Sequence, residues 1–209
     1  MFKFIIWDFD GTLHDTYPGM IQAFENGLKE LGVQEKTENV FQEIKISVGH
    51  AVKFFANKHD ITDTDVREMY VKHSKKLPSS IMAPYPNALK ICKRFKEAGG
   101  QNFVYTHRDD ATLKYLEYHN MLEHFEDVIT SVHGYRKPNP DGFLHIIDKH
   151  DLNSKEGLGV GDRDLDIIAS QRAGMKACLI DNDGLPYESE PEFVVDDIWG
   201  IAKILGLEG

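Results

Sequence analysis

Short apolar runs alternate with stretches of helical spacing along most of this chain. Phe2 to Trp7 carries β-branched Ile5 and Ile6 and stops at Asp8 and Gly11. A short run without polar alternation, bounded by turn formers, predicts a strand buried on both faces. Comparable runs recur at Asn102–Tyr105, Val128–Thr130, Leu158–Val160, Ala177–Ile180 and Phe193–Val195. Between them, Ala88–Ala98 sets Ala88, Leu89, Ile91, Cys92 and Phe95 at helical spacing and ends in Gly99-Gly100, a helix stop. Ala111–Met121, Gly142–Lys149, Asp164–Ala173 and Ile198–Leu205 fit the same type. Strand and helix in alternation predict βαβ units and a doubly wound, Rossmann-like parallel sheet of the α/β class.

Tyr17 to Leu77 breaks that rhythm. Ile21, Phe24, Leu28 and Leu31 form one apolar stripe; Val52, Phe54 and Phe55, then Val66, Met69, Tyr70 and Val71, mark two more. Gln34–Glu38 and Asp60–Thr64 read as connections, and the Pro-rich piece from Leu77 to Pro86 as a return hinge. The expected organisation is a catalytic core of residues 1–15 and 83–209 interrupted by a helical insert of residues 16–82. No internal repeat or low-complexity tract interrupts it.

The 209 residues carry 24 Lys+Arg against 34 Asp+Glu, a formal net charge of −10. That balance argues against a surface built to grip nucleic acid or an anionic membrane. It permits a small phosphorylated substrate, because a local metal ion or lysine reverses the field. Cys92 and Cys178 lie far apart, with neither a disulfide framework nor zinc spacing, and read as reduced, buried small residues. The first apolar run is too short for a signal segment or a membrane span, so a cytoplasmic location is expected, with a monomer as the default.

Three polar clusters stand at predicted strand ends, and a fourth in a proline-fixed loop. Asp8-Phe9-Asp10-Gly11-Thr12-Leu13 follows the first strand. Ligands of open α/β sheets bind outside the carboxyl ends of strands. Two acids there repel unless a hard cation sits between them or one holds a proton. Thr106 ends Val104-Tyr105-Thr106, where its hydroxyl and the next backbone N–H can face the same crevice; His107 and Arg108 follow, facing either substrate or solvent. Lys137 lies in Arg136-Lys137-Pro138-Asn139-Pro140, where two prolines fix the backbone around a cation that suits an anionic group. Asp162 ends another strand in Gly161-Asp162-Arg163-Asp164-Leu165-Asp166, and Asp166 lies one helical turn on, so both can face one point. Asp164 projects elsewhere. Each cluster alone has an ordinary reading as a capped or solvated turn; their joint placement points to chemistry.

Together these four clusters resemble the motifs of the haloacid dehalogenase-like hydrolases, specifically the phosphoglycolate phosphatase-like branch with a helical cap after the first motif. Tyr85-Pro86-Asn87-Ala88 resembles the segment that re-enters the core, and Ala173-Gly174-Met175 the usual sequel to the fourth motif. The resemblance implies Asp8 as nucleophile, forming an aspartyl phosphate, and Asp10 as the acid that protonates the leaving oxygen and later activates water. It implies Mg²⁺ held by the Asp8 carboxylate, the Asp10 backbone carbonyl and Asp162, with Asp166 bonding a metal water or orienting Lys137. Thr106, Lys137 and backbone N–H groups near Asp10 and His107 would bind phosphoryl oxygens.

Within the family, Asp10 favours phosphoryl transfer over carbon–halogen cleavage. Phosphonate hydrolysis is disfavoured too, since it uses a cap lysine and a small residue in place of Asp10. His107 departs from the Asn or Ser usual at its place. The alternatives are a sugar-phosphate mutase, which carries a cap histidine near where Met20 stands, or a non-catalytic regulatory member. His14, Tyr17, His50 and Lys53 are the expected leaving-group readers, with Gly49-His50 read as a stretch between helices. The remaining histidines lack metal-ligand spacing.

Overall fold

The first strand, β1 (Phe4–Trp7), is buried along its whole length, because each face of the sheet is covered. Ile5 and Trp7 point into one core layer, and Phe4 and Ile6 into the other. This is why its sequence runs apolar without alternation. The computed structural model describes residues 1–207.

After β1 come the helices α1 (Tyr17–Glu30), α2 (Thr37–Ile46), α3 (Val48–His59) and α4 (Asp63–Ser74). The chain then alternates through α5 (Ala88–Glu97), β2 (Gln101–Tyr105), α6 (Ala111–Tyr118), β3 (Asp127–Ile129) and α7 (Asp141–Lys149). It closes with β4 (Gly157–Gly161), α8 (Asp164–Arg172), β5 (Lys176–Ile180), β6 (Phe193–Val195) and α9 (Gly200–Leu205). The six strands make one parallel sheet in the order β3-β2-β1-β4-β5-β6, the expected doubly wound α/β architecture. One layer packs α5, Leu116 and α9 on the sheet; the other packs Phe143, Ile146 and Ile147 of α7 with Ala169 of α8. Inside the first layer, Trp7 Nε1 donates to Asn102 Oδ1 at 3.0 Å, and Asn102 Nδ2 donates to the Cys92 carbonyl at 2.9 Å, so a buried amide is satisfied on both sides. Cys92 and Cys178 are free and buried.

Thr16–Ala83 forms a separate compact unit; Met1–Asp15 and the chain from Pro84 onward form the other. The helical unit has its own core of Tyr17, Met20, Phe24 and Leu28 from α1, Val40 and Ile44, Val52 and Phe55, and Val66. Ser47 alone separates α2 from α3, its hydroxyl accepting the His50 N–H at 2.9 Å as an N-cap. Gly49 and His50 therefore lie in the first turn of α3, not in a loop. Helix α6 ends three residues short of the expected Met121, because Asn120 takes a left-handed conformation with φ 55°. Among the described residues, no helix is long and apolar enough to cross a membrane.

Candidate active site

Trp7 lies opposite both Val104 and Val160, so Asp8, Thr106 and Asp162 leave the sheet at nearly one level. Asp8 N still donates to the Val160 carbonyl at 2.8 Å, and Thr106 N to Ile129 at 2.9 Å. Helix α8 then brings Asp166 back to the strand end. Gly161 permits this approach: a Cβ there would meet Asp166 Cβ at 2.2 Å. Carboxylate oxygens of Asp8, Asp162 and Asp166, all buried, lie within 4.8 Å of one another.

Lys137 enters this group from the loop before α7, just ahead of a cis Lys137-Pro138 bond. Its Nζ donates to Asp8 Oδ1 at 2.7 Å and to Asp166 Oδ1 at 2.6 Å, and it sits 4.8 Å above the Tyr105 ring. Arg163 adds a second, looser cation: its guanidinium lies 3.8 Å from Asp8 Oδ2, 3.7 Å from Asp162 Oδ1 and 3.8 Å from Asp166 Oδ2. Asp8 Oδ2 and Asp166 Oδ2 are buried and accept no hydrogen bond among the described residues. Burial pushes the Asp8 carboxyl up to about 7, with Lys137 pulling the other way and the Asp166 charge adding to the rise. Burial opposes the Asp166 charge as well, but Lys137 and Arg163 hold its carboxyl below the usual range. Clustered buried acids with two oxygens that accept no hydrogen bond fit a hard divalent cation, which takes oxygen ligands.

Asp10 is placed differently from the trio. The turn at Gly11, φ 78°, carries the chain back, and Gly11 N donates to the His14 carbonyl at 2.9 Å. The Asp10 carboxylate meets Arg108: Nε at 2.9 and 3.2 Å from its two oxygens, and Nη2 at 2.6 Å from Oδ1. Its side chain is not one of the three clustered carboxylates, so any part of Asp10 in holding a cation falls to its backbone carbonyl.

Thr106 is buried at the end of β2, and its Oγ1 accepts the Arg108 N–H at 3.1 Å. His107 does not present a cationic side chain to an anion. Its Nε2 accepts the Lys137 backbone N–H at 2.8 Å, and burial, then the Lys137 and Arg163 charges, push it down to about 3. The neutral ring anchors the lysine loop instead. His14 is fully buried, stacked on Phe9 at 4.3 Å, and burial with His119 nearby pushes it down to about 3. Tyr17 and His50 serve the helical unit's own packing. Phe41 meets the Tyr17 ring edge-on at 5.3 Å with Lys45 Nζ 5.1 Å from its centroid, and His50 Nε2 pairs with Glu43 at 2.7 Å. Lys53 is exposed on α3. Asp164 points away from the trio, accepting the Glu188 and Ser189 N–H groups at 3.0 and 2.8 Å.

Two functional groups escaped the sequence reading: the Arg108 contact with Asp10 and the Arg163 contact with the trio. Each arginine directly follows or adjoins a motif residue, which was the available signal.

Residues 5–180 match the family model described as haloacid dehalogenase-like hydrolase. A phosphoglycolate phosphatase of Aquifex aeolicus is 30% identical over 184 residues, covering 85% of this chain and 84% of its own. Among solved structures, a hydrolase from Streptococcus pneumoniae is 27% identical with a TM-score of 0.66, covering 98% of both chains. A Haemophilus somnus structure, 23% identical over 98% of both chains, superposes with a TM-score of 0.87 and shows the same fold. The chain is therefore an enzyme of the haloacid dehalogenase-like hydrolase family.

Proposed function

We propose that this hydrolase is a phosphatase, cleaving a small phosphomonoester through an aspartyl phosphate on Asp8. The carrying observation is the asymmetry of Asp8: Lys137 takes one oxygen by a hydrogen bond, while the other is buried beside Asp162 and Asp166, accepts no hydrogen bond and has only the looser Arg163 charge at 3.8 Å. In the first half-reaction an Asp8 oxygen bonds phosphorus, the bond to the leaving oxygen breaks, and Asp10 supplies the proton that oxygen needs. In the second, Asp10 takes a proton from water, and that water displaces phosphate from Asp8. Lys137 and the backbone N–H groups after Asp8 and Thr106 stabilise the phosphoryl oxygens. His107 keeps Lys137 in place through its backbone. Asp8, Asp162 and the Asp10 carbonyl would hold Mg²⁺, which when bound neutralises charge on the transferring group.

The Aquifex aeolicus relative supports a substrate resembling phosphoglycolate. The helical unit Thr16–Ala83 is assigned as a cap that keeps water out and reads the leaving group, and both free cysteines suit a reducing, cytoplasmic setting.

The test is phosphate release from p-nitrophenyl phosphate and a metabolite panel that includes phosphoglycolate, with and without Mg²⁺. Wild type releases phosphate only with the metal, and Asp8→Asn falls to background. Equal release by the two proteins ends this reading.

A further inference from the structure

The ion pair between Arg108 and Asp10 is built more firmly than a surface pair needs. The two side chains are only 15% and 16% exposed. Three contacts of 2.6 to 3.2 Å engage both carboxylate oxygens, so the fork sets the plane of the carboxyl as well as its place. The guanidinium is itself confined. Its ζ carbon lies 5.9 Å from the ring centres of Phe9 and of Tyr115, which stand 6.3 Å apart with planes 29° from parallel.

The arginine backbone is pinned at both ends. Its N–H donates to Thr106 Oγ1 at 3.1 Å, and its carbonyl accepts Ser131 N–H at 2.9 Å. Thr106 thus closes the strand and sets the base of the residue that grips Asp10. On the other side, the Gly11 turn fixes the Asp10 backbone.

We propose that Arg108 is a positioning residue for Asp10, orienting its carboxyl for proton exchange with the leaving group. This rests on the reading of Asp10 as the proton donor. Proton transfer requires the donor within hydrogen-bond reach and correctly directed, and a fork on both oxygens fixes the direction of a carboxyl on a turn. A lysine cannot substitute, because a single ammonium sets a distance without setting a plane.

Leaving-group chemistry separates this role from its rivals. An alkyl phosphate needs the proton, since an alkoxide leaves poorly; p-nitrophenolate leaves without help. The experiment measures kcat and KM on both esters with Mg²⁺ for wild type, Arg108→Gln, Arg108→Lys and Asp10→Asn. Arg108→Gln is expected to lower kcat on the alkyl ester by about 100-fold and on the aryl ester by less than about 10-fold. Arg108→Lys shows the same split, smaller in size, and serves alone if the glutamine variant does not fold.

Equal losses on both esters make Arg108 a merely structural residue and overturn the proposal. So does a change confined to KM, which makes it a substrate-binding cation. If Asp10→Asn splits the two esters and the Arg108 variants do not, only this proposal fails. If Asp10→Asn itself shows no split, the reading of Asp10 falls, and the proposal with it.

Discussion

At the scale of single residues, Asp8 shows what an assembled site costs its fold. An aspartyl group ordinarily titrates at 3.8, and burial lifts Asp8 to about 7. A carboxyl raised in the folded state adds stability below its unfolded value and loses it as pH climbs through its folded value. In metal-free protein the Asp8 contribution is therefore complete below about pH 4 and gone above about pH 7. Asp166, held low, runs the opposite way: its contribution is present above about pH 4 and lost as pH falls. Asp8→Asn should then raise the melting temperature of metal-free protein at pH 8, by roughly 2–4 °C per kcal/mol relieved, and raise it by less at pH 5. Melts in a chelator at the two pH values check this, and a larger gain at pH 5 contradicts it. Asp8 and Asp162 were legible because they end apolar runs, and a strand end fixes where a side chain emerges; Asp166 because it lies one helical turn past such an end, and Lys137 because prolines fix its loop. Arg108 and Arg163 were not, because sequence does not say whether a long side chain in a polar loop turns inward. The burial of His14 against Phe9 was equally hidden, because its polar type suggests an exposed side chain.

Elements were read well where period and length agreed, as for all six strands and for α5, α7 and α8. One helix was missed: no stripe of its own marked α2, and its first two residues, Thr37 and Glu38, were read as connection. The remaining errors sit at punctuation. Gly49 looked like a loop residue, but Ser47 two residues earlier was the true boundary, because a serine hydroxyl satisfies a helix N–H and a glycine does not. Asn120 shortened α6 by the same class of local effect, a left-handed residue that closes the last turn. Ser47→Ala should cost about 1 kcal/mol of stability, measured by urea unfolding, since the capping bond to His50 N–H is its main contribution. An unchanged midpoint would show that water replaces the cap without penalty. Helix α8 is the element on which the site depends most directly: Gly161 lets it approach, Asp166 in its first turn joins the trio, and Asp164 beside it holds the 188–189 backbone.

For the molecule as a whole, two units with separate apolar cores imply two cooperative bodies. Native-state hydrogen exchange across a denaturant series should resolve two families of amides, one from α1–α4 and one from the sheet and its helices. A single shared opening energy would show the two units unfold together. In the sequence, strand signals stop before Tyr17 and resume after the prolines near residue 84. The chain's two tryptophans, Trp7 and Trp199, both belong to the sheet-bearing unit, and none lies between Thr16 and Ala83. Trp7 is buried with its indole N–H satisfied by Asn102, whereas Trp199 is partly exposed under the Lys90 ammonium. Indole emission is consequently blind to the four-helix unit, while the far-ultraviolet dichroism records both. The chain therefore carries a natural optical label on one half, and a mismatch between those two signals would time the melting of each half without any dye.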